Sequence, residues 1–437
     1  MNDVMEYKCP NCGGSVKFSS GSQKLVCDYC GTSFEPDVLK QYNEELSNVP
    51  ADNLKWSELD KGDQWQDANL ATMNCTSCGA QIIAAPTTSA TACPYCNTPV
   101  VITGKLSGAL KPDCMIPFKL DKEKAKSALD DHLRGKPLLP SLFKTQNRID
   151  SITGVYVPFW LFDCKAHANI HYRAIKIKTW SDNNFNYTKK DFYSVYREGD
   201  LAFERVPVDG SEQMDDALME AIEPFEYRDS TDFQSAYLLG YMAEKYDVDA
   251  AKSKDRANVR IKRSTEKTLG DTVTGYTSVT PENSSVQLSD AVVRYALLPV
   301  WMLNTKYKGT MYSFAMNGQT GKFIGNLPVS KAKAFGFFTG IFGGLTGIAA
   351  AVIFLLMQNS LENPLAAFGI CAAISALIAG IVLGIMWSQM KTAKLQAYAA
   401  AYIRQGSFKL TGKKDTFLYS QTEKTQKIQQ VQENKRN

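Results

Sequence analysis

The stretch CPNCGGSVKFSSGSQKLVCDYC, Cys9 to Cys30, decides how the beginning of the chain folds. It contains two C-x2-C pairs, and each pair closes a tight turn that directs two sulfur atoms toward one point. The segment between the pairs has room only for a short hairpin, which is too small to bury a hydrophobic core. A metal ion must therefore supply the folding free energy, on the order of 10 kcal/mol per site. We expect a zinc ribbon over residues 1–35.

The same pattern returns 66 residues later. Both copies read C-x2-C-x14-C-x2-C, and four thiolates at this spacing suit a tetrahedral Zn²⁺ ion with a structural role. Glycine, which tolerates a positive φ, directly follows three of the four pairs, as Gly13, Gly31 and Gly79. We therefore predict a second ribbon over 75–104 and two Zn²⁺ ions in all. The predicted ligands are Cys9, Cys12, Cys27, Cys30, Cys75, Cys78, Cys93 and Cys96.

The charge of this region favours a protein partner over a nucleic acid. The whole chain has a net charge of +4, but residues 1–104 have a net charge of −6. Most of the acidic side chains lie in the segment 36–74, which we expect to be an acidic linker, and residues 75–104 carry no charge. Nucleic acids are bound mainly through Lys and Arg contacts to phosphates, so a nucleic-acid partner is disfavoured.

Two apolar stretches near the end of the chain have the length of transmembrane helices. Residues 335–357 and 366–387 contain no charged side chain, and each is long enough to cross a hydrocarbon layer of about 30 Å. Lysines flank the pair on both outer sides, whereas the connecting loop has neither Lys nor Arg. This pattern predicts a hairpin in the cell membrane with both chain ends in the cytoplasm. The tail over 388–437 is basic, and we expect it to be drawn to membrane lipid.

Two further features agree with this topology. The cysteine pairs indicate a reducing compartment, because C-x2-C pairs there are typically metal ligands rather than disulfides. Small residues recur every fourth position in the first span, at Gly336, Gly340 and Gly344. Such a stripe lets helices pack closely, so we expect the two spans to pack on each other or on another copy of the chain.

Residues 115–330 form the soluble body, for which the sequence predicts an α+β fold. Lys119–Gly135 has the pattern of a helix, with Asp121 as its N-cap and Gly135 as its end. We also expect helices over 211–222 and 232–249.

The remainder of the body is rich in β-forming residues. The runs GVYVPFWLFDC and HANIHYRAIKIKTW read as strands. The motif VPFWLFD at 157–163 returns as LPVWMLN at 298–304, which indicates a duplicated β unit. The fold class we predict is therefore α+β, with two small zinc ribbons, a mixed α+β domain containing this repeat, and a two-helix transmembrane hairpin.

No catalytic motif stands out, so we expect that the protein is not an enzyme. The chain lacks a P-loop, a G-x-S-x-G and an H-E-x-x-H motif. Cys164, His167 and His171 have a spacing that suggests a metal, but in a strand Cys164 would face away from both histidines. A basic run from Lys252 to Lys267 fits a solvated helix face, a contact to acidic lipid or an acidic partner, or a nucleic-acid contact.

The paired ribbons, the VPFWLFD and LPVWMLN segments and the terminal hairpin together resemble the bacterial membrane proteins with transcription-factor-IIB-type, rubredoxin-like zinc ribbons. Members are often labelled as similar to the primosomal helicase, but that similarity covers only cysteine pairs such as Cys9/Cys12 and Cys27/Cys30. Relatives are found beside phage-shock-type membrane-stress genes. The resemblance implies an adaptor that brings a soluble SPFH-type or virion-core-like protein, itself bearing a zinc ribbon, to the membrane.

Two hypotheses about function follow. The first is a membrane-anchored zinc-ribbon adaptor that recruits a protein partner to the inner face of the membrane, in a membrane-stress response. The alternative is a zinc-ribbon protein that tethers nucleic acid to the membrane for replication or transcription through the run Lys252–Lys267. An activity hidden in the body is a third, less supported hypothesis.

Overall fold

A computed structural model describes residues 7–47, 49–57, 64–84, 92–96, 98, 100–144, 152–357 and 364–427. These residues form a mixed α+β protein, as predicted. The strands are β1 (Val16–Ser19), β2 (Lys24–Cys27), β3 (Ser33–Phe34), β4 (Gln64–Asn74), β5 (Gln81–Ala84), β6 (Val101–Leu110), β7 (Cys114–Met115), β8 (Thr153–Ser181), β9 (Phe185–Asp209), β10 (Thr231–Asp232), β11 (Met242–Glu244), β12 (Ser278–Tyr307), β13 (Thr310–Asn317), β14 (Phe323–Gly325) and β15 (Lys409–Gln426). The α-helices are α1 (Pro36–Ser47), α2 (Lys122–Leu133), α3 (Asp216–Ala221), α4 (Ala250–Gly270), α5 (Lys331–Met357) and α6 (Pro364–Ser388).

Two long strands, β8 and β12, form the centre of the main sheet. They pair antiparallel from Ser278 opposite Ile175 to Met302 opposite Thr153. β9 pairs with the other edge of β8, and β15 pairs with the outer edge of β9. On the other side, β13 and β14 extend the sheet beyond β12. β-branched and aromatic residues, which favour extended strands, dominate the start of β8 and account for its β structure.

The two related motifs lie opposite each other at the centre of this pairing. Val157 pairs with Leu298, the residue 141 positions later in the repeat. A short parallel strand pairs with the chain just before each motif, at an equivalent position: β11 pairs with β8 at Val155, and β7 pairs with β12 at Ala296. The two halves of the body therefore meet about a local twofold axis, with equivalent neighbours on each side.

The two faces of the sheet carry different layers. Side chains alternate along a strand, so consecutive residues of β8 face opposite sides. On one side, the Tyr172 hydroxyl donates a hydrogen bond to the Glu266 carbonyl of α4 at 2.5 Å. On the other side, Arg173 contacts Glu282, which also accepts a hydrogen bond from the Tyr42 hydroxyl of α1 at 2.8 Å. The sheet therefore separates α4 from α1.

Helix α2 confirms the helix predicted at Lys119–Gly135. The Asp121 carboxylate caps it by accepting a hydrogen bond from the Lys124 N–H at 2.8 Å. The prediction of a helix over 232–249 is wrong, because this segment contains a short 3-10 turn and β11. Gly240, with a φ of +88°, interrupts it, and pairing of β11 with β8 and β5 overrides the local helical propensity.

The segment 36–74, expected to be an acidic linker, is folded over most of its described length. It contains α1 and β4, and residues between them add an edge contact to β12. Two of its acidic side chains form ion pairs with distant elements: an oxygen of Asp52 lies 2.5 Å from Lys262 Nζ of α4, and one of Glu45 lies 2.7 Å from Lys414 Nζ of β15. The expectation of a linker is corrected, because these charges attach the segment to α4 and to β15.

Part of the basic tail over 388–437, which we expected to be drawn to membrane lipid, is a strand of the main sheet. Residues Lys409–Gln426 form β15, which ends opposite Phe185 at the tip of the β8–β9 hairpin. Met390, just after α6, packs in one cluster with Ile152, at the opposite end of β8. At about 3.3 Å per residue, β15 extends roughly 60 Å. The strand therefore carries the tail away from the apolar helices.

Helices α5 and α6 contain two segments that are long and apolar enough to cross a membrane, Lys331–Leu355 and Leu365–Ser388. Each segment is about 37 Å long at 1.5 Å per residue. The helices contact each other, but a Cβ atom added at Gly336, Gly340 or Gly344 would meet no neighbouring atom within 4 Å. The small-residue stripe of α5 therefore does not lie against α6. The connecting loop lies outside the described residues.

Strand β11 places one acidic side chain, Glu244, in the core. The residue is 1% exposed, and its Oε1 accepts a hydrogen bond from the Ser211 hydroxyl at 2.8 Å. Burial raises the pKa of Glu244 to about 8, and the nearby carboxylates of Asp247 and Asp209 act in the same direction. At neutral pH this carboxyl group therefore holds its proton.

We predict that the stabilising contribution of Glu244 falls as the pH rises from about 5 to about 9. Glu244 binds its proton more tightly in the folded chain than in the unfolded chain, so its contribution is present at low pH and is lost as the pH passes about 8. The Glu244→Gln variant has no titratable group at this position, so the melting temperature of the variant minus that of the parent should increase over this range. Thermal unfolding of the detergent-purified parent and variant, recorded at a series of pH values, measures this difference.

The Glu212→Gln variant, which changes an exposed carboxylate, is the matched control. Its melting temperature should depend on pH in the same way as that of the parent protein. A difference in melting temperature between Glu244→Gln and the parent that stays constant over this range would contradict the assignment.

Candidate metal centres

The first four-cysteine segment folds into a small sheet of β1, β2 and β3. Its sulfur atoms form cluster 1, which consists of Cys9, Cys12, Cys27 and Cys30. The Sγ atoms of Cys9 and Cys30 lie 3.6 Å apart, and those of Cys12 and Cys27 lie 3.5 Å apart. Gly13 and Gly31 adopt φ values of +74° and +67°, and each donates its N–H to the carbonyl of the first cysteine of its pair. These glycines thus form the predicted tight turns.

The second segment forms cluster 2, which consists of Cys75, Cys78, Cys93 and Cys96. The Sγ atoms of Cys75 and Cys96 lie 3.4 Å apart, and those of Cys78 and Cys93 lie 3.6 Å apart. Gly79, with a φ of +80°, donates its N–H to the Cys75 carbonyl at 3.0 Å. Cluster 2 therefore repeats the turn geometry of cluster 1.

The spacing of the sulfur atoms fits a metal ion. All eight cysteines are free thiols, and separations of 3.4 to 3.6 Å are far longer than the roughly 2.05 Å of a disulfide. A tetrahedral ion with Zn–S bonds of about 2.3 Å would hold its sulfur atoms about 3.8 Å apart. Four cysteine ligands complete a tetrahedral shell and leave no position for a substrate, so each cluster suits a structural ion.

The thiols within each cluster differ in pKa. Burial raises the pKa of Cys9 to about 12. Burial acts in the same direction on Cys30 and Cys96, but hydrogen bonds with Thr32 and Thr98 help to lower the pKa of both thiols to about 6. A cation at the centre would favour the thiolate form of all four sulfur atoms. Acid, which protonates the thiolates, would release it.

Cluster 1 is attached to the face of the sheet that carries α1. The ring of Phe34 packs edge-on against Tyr419 of β15 with a centroid distance of 5.3 Å, and Tyr419 stacks on Phe192 of β9 at 4.5 Å. On other parts of this segment, Phe18 and Tyr29 are 57% and 78% exposed. One side of the cluster 1 segment is therefore fixed to the body, while two aromatic side chains remain open to solvent.

Cluster 2 belongs to the main core. Cys75 and Cys93 are buried in one hydrophobic cluster with residues of β8, β12 and α3. The Asn304 side chain of β12 donates a hydrogen bond to the carbonyl of Pro94, between the cysteines of the last pair, at 2.6 Å. Strand β5, which belongs to the same segment, pairs with β11. The two copies of one sequence pattern therefore have different surroundings.

The other ligand-type residues do not come together. Cys164 lies in the core on the α4 side of β8, whereas the alternation of side chains places His167 and His171 on the opposite side. His167 Nδ1 lies 2.8 Å from an oxygen of Asp200. Among the described residues, only clusters 1 and 2 group three or more metal-ligating side chains at ligand spacing.

Helix α4 contains the basic run 252–267, and part of its charge is used within the protein. Arg260 is 3% exposed, and its guanidinium donates to both carboxylate oxygens of Glu223, at 3.1 and 2.6 Å. Arg256 contacts three carboxylates, of which Asp216 is nearest at 2.7 Å. These two arginines bind the body, so the run does not form a continuous basic surface.

The fold and the two clusters define a class: a mixed α+β protein with two tetra-cysteine clusters that fit metal ions and two apolar helices. The chain is 33% identical to "Uncharacterized protein YdjG" of Bacillus subtilis (strain 168) over 356 aligned residues. The aligned region covers 81% of this chain and 98% of that protein. The chain belongs to the family of YdjG. No protein-family model matches the chain, and no solved structure matches it.

We predict two metal ions per chain, with unequal effects of their loss. Cys12→Ser should remove one ion and leave the unfolding of the body nearly unchanged, because cluster 1 lies on the surface of the sheet. Cys93→Ser should also remove one ion, but it should destabilise the body by several kcal/mol, because that ion's binding free energy stabilises the core. Elemental analysis and thermal unfolding measure the two effects.

Cys371→Ser, which changes a thiol in α6, is the control and should retain both ions. Equal shifts in melting temperature for the two cluster variants, or an unchanged metal content in either, would disprove this prediction.

We also predict that Arg260 stabilises the fold, whereas the neighbouring exposed Arg263 does not. Arg260→Ala leaves the buried Glu223 without its cation, so it should lower the free energy of unfolding by about 3 to 5 kcal/mol. Arg263→Ala should change it by less than about 0.5 kcal/mol. Denaturant unfolding compares the two variants, and similar values for both would show that the run is an ordinary solvated face.

Proposed function

We propose that the protein is a non-enzymatic adaptor that holds a protein partner at the inner face of the cell membrane. In this proposal, clusters 1 and 2 are the zinc sites of two transcription-factor-IIB-type ribbons. Helices α5 and α6 are a transmembrane hairpin that anchors the body, with both ends of the chain in the cytoplasm.

The observation that carries the proposal is the exposed surface of the cluster 1 segment. Phe18 and Tyr29 are exposed there, and aromatic side chains are frequent energetic centres of protein interfaces. Two of the three lysines in residues 7–35 are already paired: Lys17 Nζ lies 2.6 Å from Asp28, and Lys24 Nζ lies 2.8 Å from Glu35. This surface therefore suits a polypeptide better than a phosphate backbone.

The contacts at the ends of the apolar helices support the anchoring role. Lys333 Nζ, in the first turn of α5, donates to the Leu139 carbonyl at 2.7 Å. Lys136 Nζ donates to the Gln389 carbonyl just after α6 at 3.1 Å. Both outer helix ends are thus attached to the same side of the body. Lysines at these ends favour the cytoplasmic side of a membrane, which would place the body there.

The partner we propose is a soluble SPFH-type or virion-core-like protein with its own zinc ribbon, recruited in a membrane-stress response. The family resemblance supports this choice. The open glycine stripe of α5 offers a surface on which a second copy of the hairpin can pack, so the anchor is proposed to self-associate.

We predict that recruitment depends on cluster 1. Co-expression of the full chain with a soluble SPFH-type zinc-ribbon protein from the same organism should bring that protein into the washed membrane fraction. Replacing Phe18 and Tyr29 together by serine should weaken binding at least about tenfold, because aromatic anchors at interface centres contribute about 2 kcal/mol or more. Cys9→Ser should also weaken binding, because it unfolds the first ribbon. Cys75→Ser tests in the same way whether the second ribbon contributes to binding.

Leu239→Ser, which changes an exposed apolar side chain outside the cluster 1 segment, is the matched control and should leave recovery of the partner unchanged. Equal recovery of the partner with the intact chain, with Cys9→Ser and with the double aromatic variant would rule out docking through cluster 1.

A further inference from the structure

A cleft of about 510 Å³ lies between α1 and the face of the central sheet that carries cluster 1. Side chains of four elements line it: Glu44 and Glu45 of α1, Asn169 and His171 of β8, Tyr196 of β9, and Lys414 of β15. Its volume falls within the range of roughly 300 to 1,000 Å³ that is typical of small-ligand sites. The cleft is separate from both cysteine clusters.

The floor of the cleft contains polar groups with unused hydrogen-bonding capacity. His171 is 4% exposed. Within the described part of the chain, His171 Nδ1 and Asn169 Oδ1 are buried and make no hydrogen bond. Because buried polar atoms are nearly always paired in folded proteins, two such atoms side by side in a cleft point to a ligand.

The charge of the lining selects a cation. Glu45 pairs with Lys414, whose Nζ lies 2.7 Å from its Oε1. This leaves Glu44 as the unbalanced charge of the lining, because its contact with Lys40 at 3.9 Å is long, lies on the exposed surface of α1 and is weak. Burial lowers the pKa of His171, so the imidazole is neutral at neutral pH and adds no positive charge.

An aromatic ring completes the lining. The ring centroid of Tyr196 lies 5.0 Å from that of His171. The Tyr196 hydroxyl donates a hydrogen bond to Glu198 Oε2 at 2.9 Å, which fixes the ring in place. The face of a tyrosine ring attracts ammonium and guanidinium groups. The cleft therefore combines a carboxylate, an aromatic ring and two buried polar atoms without a hydrogen-bond partner.

We propose that this cleft binds an organic cation, an alkylammonium or guanidinium group, between Glu44, Tyr196 and the floor formed by Asn169 and His171. Two sources have this chemistry: a free polyamine, and a Lys or Arg side chain of a polypeptide. Binding here goes beyond the adaptor role and does not require that cluster 1 dock a partner.

The three histidines of the chain make a direct test practical. The full chain is labelled with isotopes in its histidine rings, placed in detergent micelles and studied by NMR, with the three ring signals assigned by single substitutions. The probes are spermidine, the peptide acetyl-Gly-Arg-Gly-amide, and the same peptide with uncharged citrulline in place of arginine. We expect spermidine, the arginine peptide or both to shift the His171 signal at about millimolar concentration. The His132 signal should remain in place.

The citrulline peptide should shift nothing, because it keeps the shape of arginine but lacks the charge. The Glu44→Gln variant should raise the dissociation constant about tenfold. Asp37→Asn, on an exposed part of α1 outside the cleft, should leave it unchanged.

The outcome also identifies the source of the cation. A shift with spermidine alone indicates a free amine, and a shift with the arginine peptide alone indicates a polypeptide side chain. An unmoved His171 signal with both cations would overturn the proposal. An equal shift of the His171 signal with the citrulline peptide would also overturn it. The same holds if the Glu44→Gln variant binds the cation as tightly as the parent protein does.

Discussion

The antiparallel pairing of β8 with β12 is the interaction on which the rest of the structure depends. The two strands bring the related motifs together at Val157 and Leu298 and give each half of the body an equivalent place. Helix α4 packs on one face of this pair and α1 on the other, the cluster 1 segment is attached through β9 and β15, and cluster 2 is attached through β5 and β11. The ends of the apolar helices pack near the start of β8. The sheet thus links the proposed anchor to the proposed docking surface.

One cysteine pattern serves two physical purposes in this chain. In cluster 1 a small three-stranded sheet has little core of its own, so a metal ion would hold it together while its surface remains open to a partner. In cluster 2 the cysteines are buried against β8, β12 and α3, so an ion there would stabilise the body itself. Identical spacing in the sequence therefore does not imply an identical role, because the surroundings decide what the ion contributes.

The sequence alone was sufficient where the deciding interactions are local. The cysteine spacing, the cap at Asp121 and the two apolar stretches each depend on residues within a few turns of one another, and the structure contains all three features. The structure of the segment 36–74 and the strand in the tail could not be predicted, because both depend on residues that are distant in the sequence. Glu45 of the expected linker pairs with Lys414 of the tail, 369 positions away. Likewise, composition marks the run in α4 as basic but cannot reveal that Glu223 neutralises Arg260. Nor does any local signal show the cleft, since its lining comes from four separate elements.

The body and cluster 1 are proposed to lie on the cytoplasmic side of a membrane that α5 and α6 cross. Protease digestion of whole cells that express the chain with a different epitope tag at each end tests this placement most directly. Both tags should survive protease added to intact cells and should disappear once the membrane is permeabilised. Loss of either tag in intact cells would contradict the proposed topology and, with it, recruitment of a cytoplasmic partner.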